Sequence, residues 1–434
     1  MLRRRNTNKW KLVSFCWLCC CLMACIDDFE IENITDVLEG YLVVDARITD
    51  WNGKQTIFLS RTFALEDSEP SPEKGALVAI IDEMGGRIGF QEIAPGNYTN
   101  EGNLSLKSSS IYKLEIITRD GVRYMSEEVR LPNKVPIVDL RAEGRLNGFS
   151  SDGLAILLDN GGIPDQSGYF RFEFEETYQI VAPYPNPFDW DEIDYDINDG
   201  DGWEVTIAGR TEPVNICYGN SASRDIILSS TEDLLSGGLD DFVVRFIAKD
   251  NPIISHRYSI LVKQYHHDIN ARAFFETLNS FSSLESIFSN VQTGRLEGNI
   301  QVQNSDVTLV FGYFELSSYS EKRLFLNYRD FFPDEELPPY FMNCATGAPA
   351  LYPRGFHLTP AEGGGFVIDG TNSSPLIEGI LAGLYAYHAD NDDFENLLSE
   401  GSPLGGLAPF LVKPLGCVDC GTFGSYEKPD FWID

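Results

Sequence analysis

Six short stretches rich in Val, Ile, Phe and Tyr, set apart by glycine-bearing turns, constrain this chain most: they leave room for strands and none for an early helix. They run from Tyr41 to Ile48, Thr56 to Ser60, Leu77 to Asp82, Arg87 to Gln91, Tyr112 to Thr118 and Arg123 to Leu131. The breaks Asp50-Trp51-Asn52-Gly53, Met84-Gly85-Gly86, Pro95-Gly96-Asn97 and Arg119-Asp120-Gly121 carry the glycines that hairpin turns require. Even spacing of this kind predicts a small immunoglobulin- or transthyretin-like β-sandwich over residues 37–132, without the Cys-Trp-Cys core of a true immunoglobulin domain.

Pro132-Asn133-Lys134-Val135-Pro136 reads as a linker, because the residue before each proline is pushed out of helix. Beyond it a larger, mainly antiparallel β domain is expected over 137–434. From Gly168 to Ile180, Phe170, Phe172 and Phe174 alternate with Arg171, Glu173 and Glu175, the pattern of a half-buried antiparallel strand with a charged outer face. Further strands are expected at Glu204 to Ile207, Asp225 to Leu228, Phe242 to Ala248, Arg257 to Tyr265, Val307 to Phe314 and Arg323 to Tyr328. One packed helix interrupts them: Asp268 can cap it, and Ala271, Phe274, Phe275, Leu278 and Phe281 fall on one face. A weaker helical stretch spans Phe394 to Leu398. The fold class expected is therefore all-β in the main, two domains and one docking helix.

The N-terminus gives an address. Arg3, Arg4, Arg5, Lys9 and Lys11 precede an apolar run from Leu12 to Ala24, the layout of a secretory signal over 1–24. Leu22-Met23-Ala24-Cys25 resembles a bacterial lipobox, so Cys25 is the expected lipidation site and 25–36 the tether. Several acyl chains hold firmly, at about 0.8 kcal/mol per buried methylene. Asp27-Asp28 resembles the acidic export tag of surface lipoproteins, which places the chain on the outer membrane, facing out. The formal charge of -33 offers no basic patch, so nucleic acid is excluded as a partner. Outside the leader no apolar run reaches the roughly 18 residues of a spanning helix. The acidic residues are also too dense for the lipid-facing bands of a barrel.

A family resemblance rests on Leu42-Val43-Val44, Phe58-Leu59-Ser60-Arg61, Glu176-Thr177-Tyr178, Lys263-Gln264-Tyr265, Glu297-Gly298-Asn299-Ile300, Phe311-Gly312-Tyr313-Phe314, Cys417-Val418-Asp419-Cys420 and Lys428-Pro429-Asp430-Phe431-Trp432. In this order they resemble the Bacteroidota lipoprotein family catalogued as domain of unknown function 4249. The resemblance covers nearly the whole mature chain. It implies an outer-membrane lipoprotein of a kind often encoded beside a TonB-dependent receptor, and it brings no catalytic residue.

The remaining cysteines, Cys217, Cys344, Cys417 and Cys420, belong to an exported chain and are expected as structural disulfides clamping the C-terminal tail, with the pairing open. Zinc would prefer a second close pair of ligands, and a redox motif a helix start after Cys420. From Tyr184 to Glu204 acids and aromatics interleave. Asp194, Asp196 and Asn198 have the alternate-oxygen spacing of a calcium loop but lack its later Gly and Glu, which leaves only a looser calcium candidate. Trp190, Tyr195 and Trp203 are the candidate ligand surface of the same stretch. Ser71-Pro72-Glu73-Lys74 lacks companion motifs, no phosphate loop or zinc-protease motif is present, and the adjacent His266 and His267 should point to opposite faces of a strand. No enzyme is therefore expected. The role expected is capture of a nutrient such as a glycan or peptide for a TonB-dependent receptor. A surface hydrolase with paired carboxylates and an adhesion or envelope scaffold are the alternatives.

Overall fold

The computed structural model describes residues 40–433 apart from 64–69, 148–150, 163–166, 195–202, 233, 235–236, 283–295, 297, 304–308, 354–356, 361–365, 370–372 and 400–405. The chain is mainly β, with few helices. Five strands build the face that matters below: β1 (Leu42–Thr49), β2 (Thr56–Arg61), β3 (Tyr169–Val181), β4 (Arg257–His267) and β5 (Val310–Asn327). Their alternation gives one sheet two faces. Leu42, Val44, Ala46 and Ile48 of β1 point into a first core with Ile57, Leu59, Leu114 and Ile116. Phe170 and Phe172 of β3 and Ile260 and Val262 of β4 point into a second, with Leu154, Ile156 and Leu158. Each such side chain contributes about 1.5–3 kcal/mol on burial.

β5 joins the two cores. Val307 to Phe314 and Arg323 to Tyr328, expected as separate strands, overlap the two ends of one 18-residue strand, Val310–Asn327, and Val307 lies outside the described residues. Its first half pairs parallel with β1, from Leu42↔Val310 to Thr49↔Ser317. Its second half pairs antiparallel with β4, from His266↔Ser318 to Arg257↔Asn327. Phe314 and Leu316 sit in the first core and Leu326 in the second. The sheet therefore runs unbroken through fifteen strands of the described residues. Gly312, at φ +102°, makes the parallel join possible: a Cβ there would lie 1.8 Å from the Val44 carbonyl oxygen.

The polar stretch Ser317 to Ser320 concealed this continuity, since it reads as a break. In the fold its hydroxyls fasten the linker. Ser318 Oγ donates to Asn133 O at 3.0 Å, and Ile137 N–H donates to Ser320 Oγ at 3.0 Å. Gln264 Nε2 of β4 donates to Val135 O at 2.8 Å, so 132–136 is pinned rather than loose. Two further strands not expected from sequence, Ile137–Asn147 and Ser151–Asn160, pair with each other, the second also pairs with Phe242–Ala248, and the three cover the second core. A third core joins the hairpin Phe188–Asp194/Glu204–Gly209 to the strands Tyr385–Asp390 and Phe410–Pro414 and the helix Pro375–Leu381.

Helix α1 (Ile269–Ser282) forms where its pattern requires. Asp268 Oδ1 accepts the Ala271 N–H at 2.8 Å, and Ala271 and Phe275 are buried against the sheet. Asp268→Ala should therefore cost about 1 kcal/mol. Faster amide exchange confined to the first turn of α1 is the check. A shorter helix, Asp392–Ser399, covers the second helical stretch. No helix among the described residues is long and apolar enough to cross a membrane, which says nothing of strands.

Candidate functional site

The odd-numbered residues of β1, β3, β4 and β5 face away from both cores, and there the sheet carries charge. Register sets them side by side: Arg47 opposite Glu315, Arg171 opposite Tyr265, Glu173 opposite Lys263, and Tyr265 opposite Tyr319. At the centre Glu315 is wholly buried and the Arg171 side chain is 5% exposed. Arg171 Nη2 lies 3.1 Å from Glu315 Oε2, and a second bond links Arg171 to Glu173. His267 Nδ1 lies 3.2 Å from Glu315 Oε1. The guanidinium is sandwiched between the rings of Tyr265 at 4.2 Å and Phe275 at 4.8 Å. Burial by itself raises the Glu315 pKa, but Arg171, then His267 and Arg47, outweigh it, and the carboxyl is held below the usual range.

Around this centre the charges pair with one another. Arg47 grips Asp45 with two bonds of 2.8 and 2.9 Å and stands 3.7 Å from Glu173. Tyr265 Oη donates to Glu173 at 2.9 Å; burial and that carboxylate push the phenol well above its ordinary value. Tyr319 Oη donates to Glu321, and Lys263 pairs with Glu175.

Three elements border this face of the sheet, and of them only the third lines the hollow at its centre. On one side stands α1, whose Phe275 stacks on His267 at 5.8 Å and whose Phe274 stacks on Tyr313 at 4.7 Å. Beyond Leu261 the C-terminal tail covers the same face. Phe431 lies on the Arg323 guanidinium at 3.6 Å, and Trp432 is wedged between Tyr218 and Phe325 at 5.1 and 5.8 Å. The third element is the loop after β1, which presents Trp51. Between them lies an open canyon of about 500 Å³, floored by Asp45, Arg47, Glu173, Lys263 and Tyr319 and edged by Trp51 and Phe58. A second hollow of about 500 Å³ runs under α1, lined by Phe274, Leu278, Phe311 and Tyr313. Arg47, Arg171 and Glu173 border both.

The residues singled out in sequence lie elsewhere. Cys25 falls outside the described residues, as do Tyr195, Asp196 and Asn198. Asp194 ends the strand Phe188–Asp194, and no cluster of three metal-binding side chains occurs among the described residues. Trp203 is not a ligand surface: it is 4% exposed and stacks on Tyr352 at 5.2 Å. Trp190 is half-buried, its Nε1–H donating to Tyr385 O at 3.0 Å and its ring packed edge-on to Tyr387 and Phe410. Both rings are spent on the third core, which needs large side chains to dock the hairpin. The cysteines form two bridges, Cys217–Cys420 and Cys344–Cys417, so Cys417 and Cys420 bond to distant partners rather than to each other.

The charged face of β3 was legible in the alternation of Arg171, Glu173 and Glu175, but not its cover. Arg171 is buried rather than solvated, because α1 and β4 close over it. His266 and His267 take opposite faces, as alternation demands: His266 stacks on Phe170 at 5.1 Å with Nδ1 2.8 Å from Asn133 O, and His267 serves the Glu315 centre.

A family model described as a domain of unknown function, DUF4249, matches residues 26–323, more than half of the chain. No curated protein matches it. Among ten solved chains that do is a DUF4785 family protein of Legionella pneumophila, at 9% identity, covering 52% of each chain with a TM-score of 0.19. The chain thus spans about half the length of that relative.

Proposed function

The chain belongs to the DUF4249 family, which names no catalytic activity, and from that premise we propose that it is a non-catalytic surface lipoprotein of the Bacteroidota type, a receptor accessory. Anchored through Cys25, it captures a nutrient in the canyon and passes it to a TonB-dependent receptor in the outer membrane. The observation that carries this reading is the canyon itself: preformed, open and lined by groups already paired with one another. Such a floor suits recognition without reorganisation.

A hydrolase with paired carboxylates needs one acid kept protonated, with its pKa raised. Among the described residues, the carboxyls whose pKa clearly departs from the ordinary value all move down: Glu115, Asp120, Glu143, Glu232 and Glu315. That favours binding over turnover. Two disulfides suit an exported chain and so support the address.

The test has two arms. Labelled fatty acid should enter the wild-type chain and be absent from Cys25→Ser, which should leave the membrane fraction. An outer-membrane receptor should co-purify with the wild type, and deletion should slow uptake through it. An unacylated wild-type chain, or unchanged uptake with no receptor recovered, would sink the reading.

A further inference from the structure

We propose that the canyon is a carbohydrate site taking a neutral oligosaccharide, whose rings stack on Trp51 and Phe58 while its hydroxyls bond to the floor. This deepens the binding reading above and rests on it. Trp51 is 50% exposed and Phe58 46% exposed, and the two rings edge the same canyon. Neither can turn inward. Phe58 is fixed by register opposite Asp45 on the canyon face of β2.

Trp51 stands on a loop tied from three directions. Its N–H donates to Thr49 Oγ1 at 3.2 Å, and its carbonyl accepts from Gln55 Nε2 at 3.0 Å. Gln55 Oε1 in turn accepts the Thr49 N–H at 2.7 Å. The indole rests on Gly53, where a Cβ would lie 2.3 Å from the ring. An exposed aromatic held in place is a stacking platform, and the C–H face of a pyranose is its apolar complement.

The floor selects against charge. Arg47, Arg171 and Lys263 balance Asp45, Glu173 and Glu321 within the lining, although the chain as a whole carries -33. The ion pairs described above already occupy Arg47 and Arg171, so an anion finds no uncommitted guanidinium there. The planar edges of these groups still present paired donors and acceptors, the pattern that vicinal hydroxyls match two at a time. A peptide adding as a strand would need an open sheet edge, and β1 is paired on both sides, by β2 and β5.

The test uses the full chain in native gels containing dextran, soluble starch, laminarin, mannan or xyloglucan, with polygalacturonate and a casein digest as charged and peptide probes. At least one neutral polysaccharide should retard the wild type. Trp51→Ala should weaken that retardation at least tenfold, Trp51→Phe should restore part of it, and the thermal midpoint should stay unchanged because the ring is exposed. Retardation by none of the five, or retardation undiminished in Trp51→Ala/Phe58→Ala, overturns the carbohydrate assignment. Binding of polygalacturonate or peptide alone, lost in the same double variant, also overturns it while leaving the capture role standing. The capture role itself fails separately, on unchanged uptake and an absent receptor.

Discussion

Glu315→Ala is expected to destabilise the chain by about 3–5 kcal/mol, the usual cost of removing one partner from a buried ion pair. The carboxylate is wholly buried, and Arg171, itself 5% exposed, would keep its charge with only Glu173 left to answer it. Sandwiching by Tyr265 and Phe275 moderates the loss but supplies no acceptor. Arg171 Nε is already buried without a protein hydrogen-bond partner, so the guanidinium would lose one of the few acceptors it has. The double variant Arg171→Met/Glu315→Leu should recover much of the loss, because neither charge then has to be desolvated. Denaturant midpoints of the three variants measure this. A Glu315→Ala midpoint within error of wild type would show that the pair does not hold β3 to β5.

The same carboxyl sets an acid limit. Its pKa is lowered in the fold, so in the unfolded chain it takes up a proton near about 4.3 while the folded chain still resists. Its contribution is therefore complete above that value and drains away as pH falls through the folded pKa. Glu115, buried between Arg87 and Arg123, behaves alike: burial raises its pKa, the two arginines lower it further, and the net direction is down. His266 adds an earlier step of the same sign. Burial lowers its pKa, so the unfolded chain binds protons first, from about pH 6.5 downward. Stability measured against pH should fall in these two stages, and Glu315→Gln should flatten the second.

How much of this was legible depended on whether a residue's role was local. The alternation at Phe170, Phe172 and Phe174 and the stripe at Ala271, Phe274 and Phe275 are periodic, and both elements stand where periodicity puts them. Ser318 and Ser320 are polar for a reason over 180 residues away, the linker backbone they hold, so β5 read as two strands. Trp190 and Trp203 sit among acids in sequence, yet their partners Tyr385 and Tyr352 are supplied by distant segments. The canyon is the extreme case. Its residues come from five strands and are joined by a parallel β1–β5 pairing that no local signal announces. Only its fragments were readable: a charged face on β3, an aromatic within a turn at Trp51.

Breaking the Cys217–Cys420 bridge is expected to cost about 5 kcal/mol by the chain-entropy argument, since the bonded residues are 203 apart; Cys344–Cys417, 73 apart, should cost about 4. The two losses should differ more in place than in size. Cys217 lies on the strand Ile216–Ala222 at the sheet edge, and Cys420 precedes the tail that packs on Arg323 and Phe325 of the same face. The Cys217→Ser/Cys420→Ser chain should therefore release Phe431 from Arg323 and Trp432 from between Tyr218 and Phe325. Cys344→Ser/Cys417→Ser should leave that tail seated while loosening the segment around Tyr340 and Phe341, which packs on the Cys217–Cys420 bridge. Limited proteolysis with a protease that cuts after aromatic residues would tell them apart: early cleavage at Tyr426 or Phe431 in the first variant only. Equal protection of the tail in both would mean that Arg257 Nε donating to Ile433 O, with the Phe431 and Trp432 contacts, holds it unaided. The bridge would then stabilise the fold without seating the tail.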